Sequence, residues 1–273
     1  MEFNFKKKYG QNFISDKHLI DKICLLVDAN EDDLIIEIGP GAGALTSKLT
    51  CLNSYYIAYE IDPELDEYLS KYTSTKFRVV YDDFLKRDIH EDIKNIPYKR
   101  LFIVGNLPYY ITTPIMLKLI DDKIDSFKNI FMVQKEFGDR LNAKPGTREY
   151  GSITVLMNYF YDVKQEFIVK KEYFNPKPKV DSCILSFNYK EKEDIDTTNY
   201  KRLVRDAFQF KRKNIRNNLK NYDLDTVNKV LNKYGFDLNN RAEELDYKIF
   251  VELVKSFYKN YWFLTFFCFI III

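Results

Sequence analysis

Asn106-Leu107-Pro108-Tyr109 is the stretch of this 273-residue chain whose residue types and order best fit a chemical task. An exocyclic amine on an aromatic ring is a poor nucleophile, because its lone pair is delocalised into the ring. Two carbonyl acceptors, the Asn106 side chain and the Leu107 backbone, could hold both N–H groups and favour a pyramidal nitrogen with a localised lone pair. Pro108 has no N–H of its own and stiffens the turn. Tyr109 can stack on a base taken out of its own stack. With a sulfonium as methyl donor no strong base is needed, since the methylated amine can lose its proton afterwards. Catalysis is then mostly positioning and electrostatics. The plain structural alternative is an Asn-Leu-Pro turn beside two core tyrosines, Tyr109 and Tyr110.

A donor site is suggested by a second constellation. Glu37-Ile38-Gly39-Pro40-Gly41-Ala42-Gly43 follows a short apolar run and opens a helical pattern. Glycines at Gly39 and Gly41 let the backbone approach a ligand, and the following helix N-terminus offers free N–H groups. Glu60 comes about 20 residues later, as a ribose-binding acid does in dinucleotide sites. The loop therefore fits either a nicotinamide cofactor or S-adenosylmethionine. Glu37 and Pro40 make EIGPGAGALT more like the loop of S-adenosylmethionine-dependent methyltransferases. Asp83 is placed to accept from that cofactor's adenine amine, although Asp82 and Asp83 also suit a solvated turn.

These residues need elements to carry them. Leu34–Ile38, Tyr55–Tyr59, Phe77–Tyr81, Leu101–Val104 and Ile130–Val133 read as strands. Ser152–Phe160 and Ser182–Phe187 read as later strands or a helix–strand mix. Ala44–Leu52, Pro63–Tyr72 and Pro114–Ile120 are helical stretches between them. The alternation predicts an α/β fold with a parallel sheet covered on both faces. Gly39, Glu60, Asp83 and Asn106 then fall just after four successive strands, where ligands bind in open α/β sheets. After the charged linker Lys190–Asp196 the texture turns helical: Tyr200–Phe210, Arg212–Leu219, Leu224–Tyr234 and Tyr247–Tyr258. The expected division is residues 1–190, a small helical domain at 196–258, and an apolar tail at 259–273.

Lys plus Arg total 42 against 40 Asp plus Glu, so a net charge of +2 neither demands nor excludes nucleic acid, and local clusters matter more. Cys24, Cys51, Cys183 and Cys268 form no CxxC pair and there are 2 histidines, which argues against zinc or another metal and for reduced cytosolic thiols. The first residues contain no signal-peptide core. Trp262–Ile273 is uncharged, but shorter than the about 20 residues a spanning helix needs. It reads as a packed helix, an atypical end or a membrane-surface segment.

Seven ordered motifs give the chain a specific resemblance. KKYGQNFISD at Lys7–Asp16, EIGPGAGALT, NLPYYITTPI, QKEFGDRL, FNPKPKVDS at Phe174–Ser182, AFQFKRKNIRNNL at Ala207–Leu219 and RAEEL at Arg241–Leu245 are similar to those of the bacterial small-subunit (16S) rRNA adenine dimethyltransferases, KsgA type. The likeness runs from Lys7 to about Phe250. It implies a Rossmann-like methyltransferase domain followed by a small all-helical domain. It also implies two methyl groups on each of two adjacent adenosines in a hairpin loop near the 3′ end of 16S rRNA, within the immature small ribosomal subunit. By position, Asn12, Ile14, Gly39, Glu60, Asp83 and Asn106 would contact S-adenosylmethionine. Asn106, Leu107, Pro108 and Tyr109 would form the target pocket, with Phe174 as a second stacking face or an ordinary core aromatic. The Erm methylases of large-subunit rRNA share the chemistry, but Pro114, the basic helix and RAEEL resemble the small-subunit branch better.

Lys7, Lys8, Lys177, Lys179, Lys211, Arg212 and Arg216 become candidate phosphate contacts, or else solvated surface. The expected protein is a cytoplasmic monomer. Two other classes stay open: a non-catalytic RNA-binding assembly factor, disfavoured by intact Glu60, Asp83 and NLPY, and a nicotinamide-dependent oxidoreductase, which leaves NLPY unexplained.

Overall fold

The computed structural model describes residues 13–14, 16–72, 74–191 and 194–257. Asn12, Lys7, Lys8 and the apolar tail 259–273 lie outside the described residues. Within them the chain forms two compact units, one of residues up to 138 with 162–189, the other of 139–161 with the residues from 190 onward.

The first unit is a seven-stranded sheet. Its strands, in chain order, are β2 (Leu34–Ile38), β3 (Tyr55–Glu60), β4 (Phe77–Tyr81), β5 (Leu101–Asn106), β6 (Lys128–Gln134), β7 (Tyr161–Val169) and β9 (Ser182–Tyr189). A separate pair joins β1 (Phe13–Ile14) to β8 (Phe174–Asn175). The sheet order is β4-β3-β2-β5-β6-β9-β7. From β4 to β6 all pairings are parallel, and β9 runs antiparallel to β6. This is the predicted α/β class, with a mixed rather than all-parallel sheet.

The central strand explains the class. All five residues of β2, Leu-Ile-Ile-Glu-Ile, are buried, as expected of a parallel strand covered on both faces. On one face, Ile35, Tyr56, Ala58, Phe102, Val104 and Ile130 pack under α1 (Lys17–Cys24), whose Leu19, Ile20 and Ile23 complete the cluster. At the opposite end from the loops, the Asp33 carboxylate takes both Nε and Nη2 of Arg100 at 3.2 and 2.7 Å, and Leu34 N–H donates to the Arg100 carbonyl. The starts of β2 and β5 are thereby locked in register. The chain leaves β2 toward β3 on one side while β5 lies on the other, so a crevice opens above their carboxyl ends.

Helices α2 (Thr46–Leu49), α3 (Asp66–Leu69), α4 (Ile89–Ile93) and α5 (Thr112–Asp121) connect the parallel strands, and α6 (Lys135–Leu141) follows β6. Of the two readings left open at Ser152–Phe160 and Ser182–Phe187, the helix–strand mix is the one found, and a further strand follows the helix. Ser152–Phe160 is a helix, α7, in the second unit; its apolar run fits either period, and Gly151 with Thr154 caps it as a helix. The strand is the next segment, β7. Its alternating Asp162, Lys164 and Glu166 mask it, and that charged pattern belongs to an edge strand of the sheet.

The second unit also holds α8 (Thr197–Ala207), α9 (Ile215–Asn218), α10 (Leu224–Lys233) and a helix beginning at residue 247. Asp196, Asn214 and Asp223 cap α8, α9 and α10 by accepting first-turn N–H groups. Tyr200 is fully buried and donates to the Val155 carbonyl at 3.0 Å, tying α8 to α7. Among the described residues no helix is long and apolar enough to cross a membrane.

Gly105 marks the tightest approach in the sheet. A β-carbon there would sit 2.7 Å from the Ile38 carbonyl oxygen and 2.9 Å from Leu107 Cδ2. Backbone cannot yield as a flexible side chain would, so Gly105→Ala is expected to destabilise the protein by about 1–3 kcal/mol. Urea unfolding measures this, and an unchanged midpoint would contradict the close packing.

Candidate active site

A cleft of ≈ 570 Å³ opens at the carboxyl ends of the parallel strands. Ile14, Gly39, Gly41, Glu60, Asp83, Asn106, Leu107, Pro108 and Tyr109 all line it. Residues spread over more than ninety positions of sequence are thus gathered into one cavity, as strand-end placement requires.

The Gly-rich loop is shaped by Glu60. Gly41 has φ +58°, and a β-carbon there would lie 2.7 Å from the Phe13 ring. Its N–H donates to Glu60 Oε2 at 3.0 Å, while Asp62 N–H donates to Oε1 at 2.9 Å. Gly39 N–H reaches the Tyr59 carbonyl at 2.9 Å, so the loop is stitched to the end of β3. Burial raises the Glu60 pKa, and the two N–H groups work against that shift. An ionised carboxylate has about four acceptor positions, so Glu60 keeps capacity for a ligand hydroxyl.

Asp83 does two things at once. Its Oδ1 accepts from Leu85 N–H at 3.0 Å, capping the turn Phe84–Lys86, and the residue also lines the cleft. The turn-former and the ligand acceptor are therefore compatible readings of one side chain.

The Asn106 loop is held from both sides. Asn106 is the last residue of β5, paired with Met132 in β6. Leu107 N–H donates to the Met132 carbonyl at 3.1 Å, and its side chain is buried. The Pro108 carbonyl is consumed within the turn, accepting from Ile111 N–H at 3.0 Å and Thr112 Oγ1 at 3.3 Å. No described residue donates to the Leu107 carbonyl. Tyr109 is half-buried, with its hydroxyl 2.9 Å from Ser182 Oγ, whereas Tyr110 is exposed. Burial pushes the Tyr109 phenol up, so it stays neutral at physiological pH.

Ser182 is a residue the sequence reading did not single out. It closes the FNPKPKVDS motif, is fully buried in β9 and fixes the edge of the Tyr109 ring. The signal was a polar residue placed directly before the apolar Cys183–Leu185 run. Glu37 gains a clearer place too. It lines the cleft from within the core, its Oε2 accepting from Thr46 Oγ1 at 2.5 Å and Tyr56 OH at 2.6 Å.

Several expected residues lie elsewhere. Phe174 is not among the cleft-lining residues, although its strand partner Ile14 is. Phe174 pairs with Ile14 across β1–β8 and is buried as a member of the apolar cluster that also holds Leu19, Ile20 and Val169. Lys177 and Lys179 are on the surface, with Lys177 paired to Glu172 at 2.8 Å. Lys211 and Arg212 lie in the turn between α8 and α9, not on a helix; Asn214 is the α9 cap, so only Arg216 is helical. Among the described residues no cluster of His, Cys, Asp and Glu could hold a metal ion.

Burial lifts the Glu37 carboxyl from 4.5 to about 7, while the two hydroxyl donors and the nearby Glu60 modulate that effect. The folded protein therefore binds this proton more tightly than the unfolded chain. Its contribution to stability is full below about pH 4.5 and is lost as pH rises through about 7. Glu37→Gln removes that slope, so the stability of the variant relative to wild type should climb across this window. Paired denaturant titrations at several pH values test it; a pH-independent difference would disprove the assignment.

The sequence pattern of the family described as "Ribosomal RNA adenine dimethylase" matches residues 2–259. The chain is 38% identical over 270 residues to the "Ribosomal RNA small subunit methyltransferase A" of Bacillus cereus (strain B4264), covering 93% of this chain and 91% of that one. It is 36% identical over 273 residues to the protein of the same name in Enterococcus faecalis, covering 94% and 92%. Among solved structures, a dimethyladenosine transferase from Plasmodium falciparum superposes with a TM-score of 0.76 at 26% identity, over 90% of this chain and 98% of that one. The 23S rRNA methyltransferase ErmE does so with a TM-score of 0.67 at 25% identity, over 90% and 99%. The likeness runs through the cleft loops and the helical unit alike, and the chain belongs to the ribosomal RNA adenine dimethylase family.

Proposed function

We propose that this protein is an S-adenosylmethionine-dependent enzyme that dimethylates the exocyclic amines of two adjacent adenosines in the 3′-terminal hairpin loop of 16S rRNA, during biogenesis of the small ribosomal subunit. One observation carries the reading. The Asn106–Tyr109 loop and the Gly39–Glu60–Asp83 series line the same cleft, so an amine-holding site stands beside a nucleoside-holding site.

The residues present suit this cofactor. Glu60 can bind a ribose diol, and Asp83 can accept from an adenine amine. Two buried carboxyls, Glu37 and Glu60, line the interior of the cleft. Glu60 would serve a ribose in either cofactor, and the match to the ribosomal RNA adenine dimethylase family supports S-adenosylmethionine over a dinucleotide. When bound, S-adenosylmethionine supplies an electrophilic methyl group on a sulfonium. Asn106 Oδ1 and the Leu107 carbonyl hold the two N–H groups of the target amine and localise its lone pair. Pro108 fixes their spacing. Tyr109, held at its hydroxyl by Ser182, stacks on the extruded base. The amine proton is shed to solvent after transfer, and no protein base is required.

The substrate follows from the company the chain keeps. Relatives at 36–38% identity carry small-subunit names, while the 23S enzyme is at 25%. A cytoplasmic monomer acting on the immature subunit is the corresponding setting. A purely non-catalytic assembly role would leave the filled-out cleft without a purpose.

Labelled S-adenosylmethionine with small subunits lacking the modification tests the reading, and dimethyladenosine is the expected product. Asn106→Ala should cut the methylation rate by roughly 10²–10³-fold while RNA binding persists, since one aimed polar group is lost at the reacting centre. Undiminished methylation by that variant would sink the assigned role, and a requirement for large-subunit rRNA would move the substrate.

Ser182→Ala should lower kcat/KM for the RNA about fivefold, the equivalent of one hydrogen bond of ~1 kcal/mol. Cofactor affinity should hold, and Ser182→Thr should restore the rate. An equal loss in the Thr variant would show that packing, not the hydroxyl, matters.

A further inference from the structure

The exposed cations of the turn between α8 and α9 lie close together in sequence, while several exposed cations outside that turn sit in ion pairs. Lys233 is paired with Glu252, Arg205 with Asp206 and Lys177 with Glu172. Lys211, Arg212, Lys213 and Arg216 are exposed and form no ion pair with a described residue. No acidic residue occurs between Asp206 and Asp223. Like charges crowded on a short turn repel one another. Something other than charge has to hold the turn in shape.

Asn218 supplies it. The side chain is 9% exposed and points inward from α9. Its Nδ2 donates to the carbonyls of Ala207 at 2.7 Å, Phe210 at 3.2 Å and Lys213 at 3.3 Å, and its Oδ1 accepts from Phe210 N–H at 3.2 Å. One amide therefore ties together both ends of the segment that displays Lys211 and Arg212. Only a group with two N–H donors and an acceptor on one short stem can do this.

A second layer comes from the loop after α10. Ile215 N–H donates to the Asn240 carbonyl at 2.8 Å and Arg216 N–H to the Leu238 carbonyl at 3.0 Å. Asn240 is itself held, donating to Glu244 Oε2 at 2.6 Å and accepting from Asp237 N–H at 2.9 Å. Glu244 Oε1 accepts from Arg241 N–H at 2.6 Å. These bonds run through backbone and neutral or acidic groups, and the cationic side chains are left on the surface next to Phe210, whose ring is exposed.

We propose that Asn218 is the positioning residue of a phosphate-binding turn, residues 207–216, which holds the backbone of the RNA substrate. The proposal rests on the RNA reading above. It assigns to a neutral buried amide the task of presenting cations that bind without reading sequence.

The test is a double-mutant cycle on the full chain, read with a labelled RNA hairpin from the small-subunit 3′ end over a salt series. The triple variant Lys211→Ala, Arg212→Ala, Lys213→Ala should weaken RNA binding roughly tenfold and reduce the salt slope by about two. Asn218→Ala should raise KM for RNA with kcat and S-adenosylmethionine affinity held, and should cost nothing further in the triple background. Trypsin should cleave faster at residues 211–213 in that variant. Should Asn218→Ala not fold, Asn240→Ala enters the same cycle. Additive losses would overturn the proposal, because they would mean that Asn218 acts elsewhere. Unchanged RNA binding by the triple variant, with methylation by wild type intact, would remove the turn from RNA recognition while leaving the enzymatic reading standing. Failure of wild type to methylate the subunit would take down both.

Discussion

The closeness of β2 and β5 at their carboxyl ends is the constraint on which the site depends. Where Ile38 meets Gly105 there is no room for a single added carbon. The next residues along each strand are Gly39 and Asn106, the first members of the two loops that face the cleft. A parallel pair whose connections leave in opposite directions opens a crevice at this point. The crevice then brings the Gly39 loop and the Asn106 loop side by side without any long-range adjustment. Everything else in the first unit serves to keep that pair in register, from the Asp33–Arg100 lock at the far end to the Met132 carbonyl that receives Leu107.

Carboxyl groups do the shaping inside the cleft. Glu60 uses its two oxygens to gather N–H groups from the Gly41 loop and from Asp62, so a residue expected to touch a ligand also folds the loop that surrounds the ligand. Glu37 is sunk further into the core and satisfied by two hydroxyls on one oxygen. A buried carboxyl costs free energy when ionised, and that cost is why its proton is held to near neutrality. Such a group is kept at a site more readily than in a core that only has to pack, although the polarity of its setting is also structural.

Much of this could be read from the sequence, for a definite reason. Strand-end residues such as Gly39, Glu60 and Asn106 follow short buried runs, Asp83 follows the apolar run of the edge strand β4, and a run of Val, Ile and Leu betrays a parallel strand by itself. The readings left open, or not made, are those where local pattern and tertiary place part company. Ser152–Phe160 is apolar enough for either period, and the helix is favoured by the Gly151–Thr154 cap and by the hydrogen bond from Tyr200 to the Val155 carbonyl. β7 carries charges because it lies at the sheet edge, a position no local window contains. Phe174 sits in a motif that also supplies Ser182, yet the aromatic pairs with Ile14 and is buried in the core, while the small hydroxyl meets Tyr109.

The two units solve different problems with different materials. In the cleft the groups that matter must be placed to within a fraction of an ångström, and the structure fixes them through strand backbone, whose hydrogen bonds are obligatory and cooperative. A surface that grips phosphates needs only charge held at an average distance, because that attraction is long-ranged and indifferent to sequence. A turn is sufficient for it, provided the turn does not collapse or splay under its own repulsion. One buried amide closing several backbone groups, as Asn218 does, meets that lesser demand with a single side chain. The basic motif reads in sequence as a charge run. Its defining residue is the neutral asparagine that follows the charges, since surface lysines and arginines can be placed almost anywhere, whereas the geometry that concentrates them cannot.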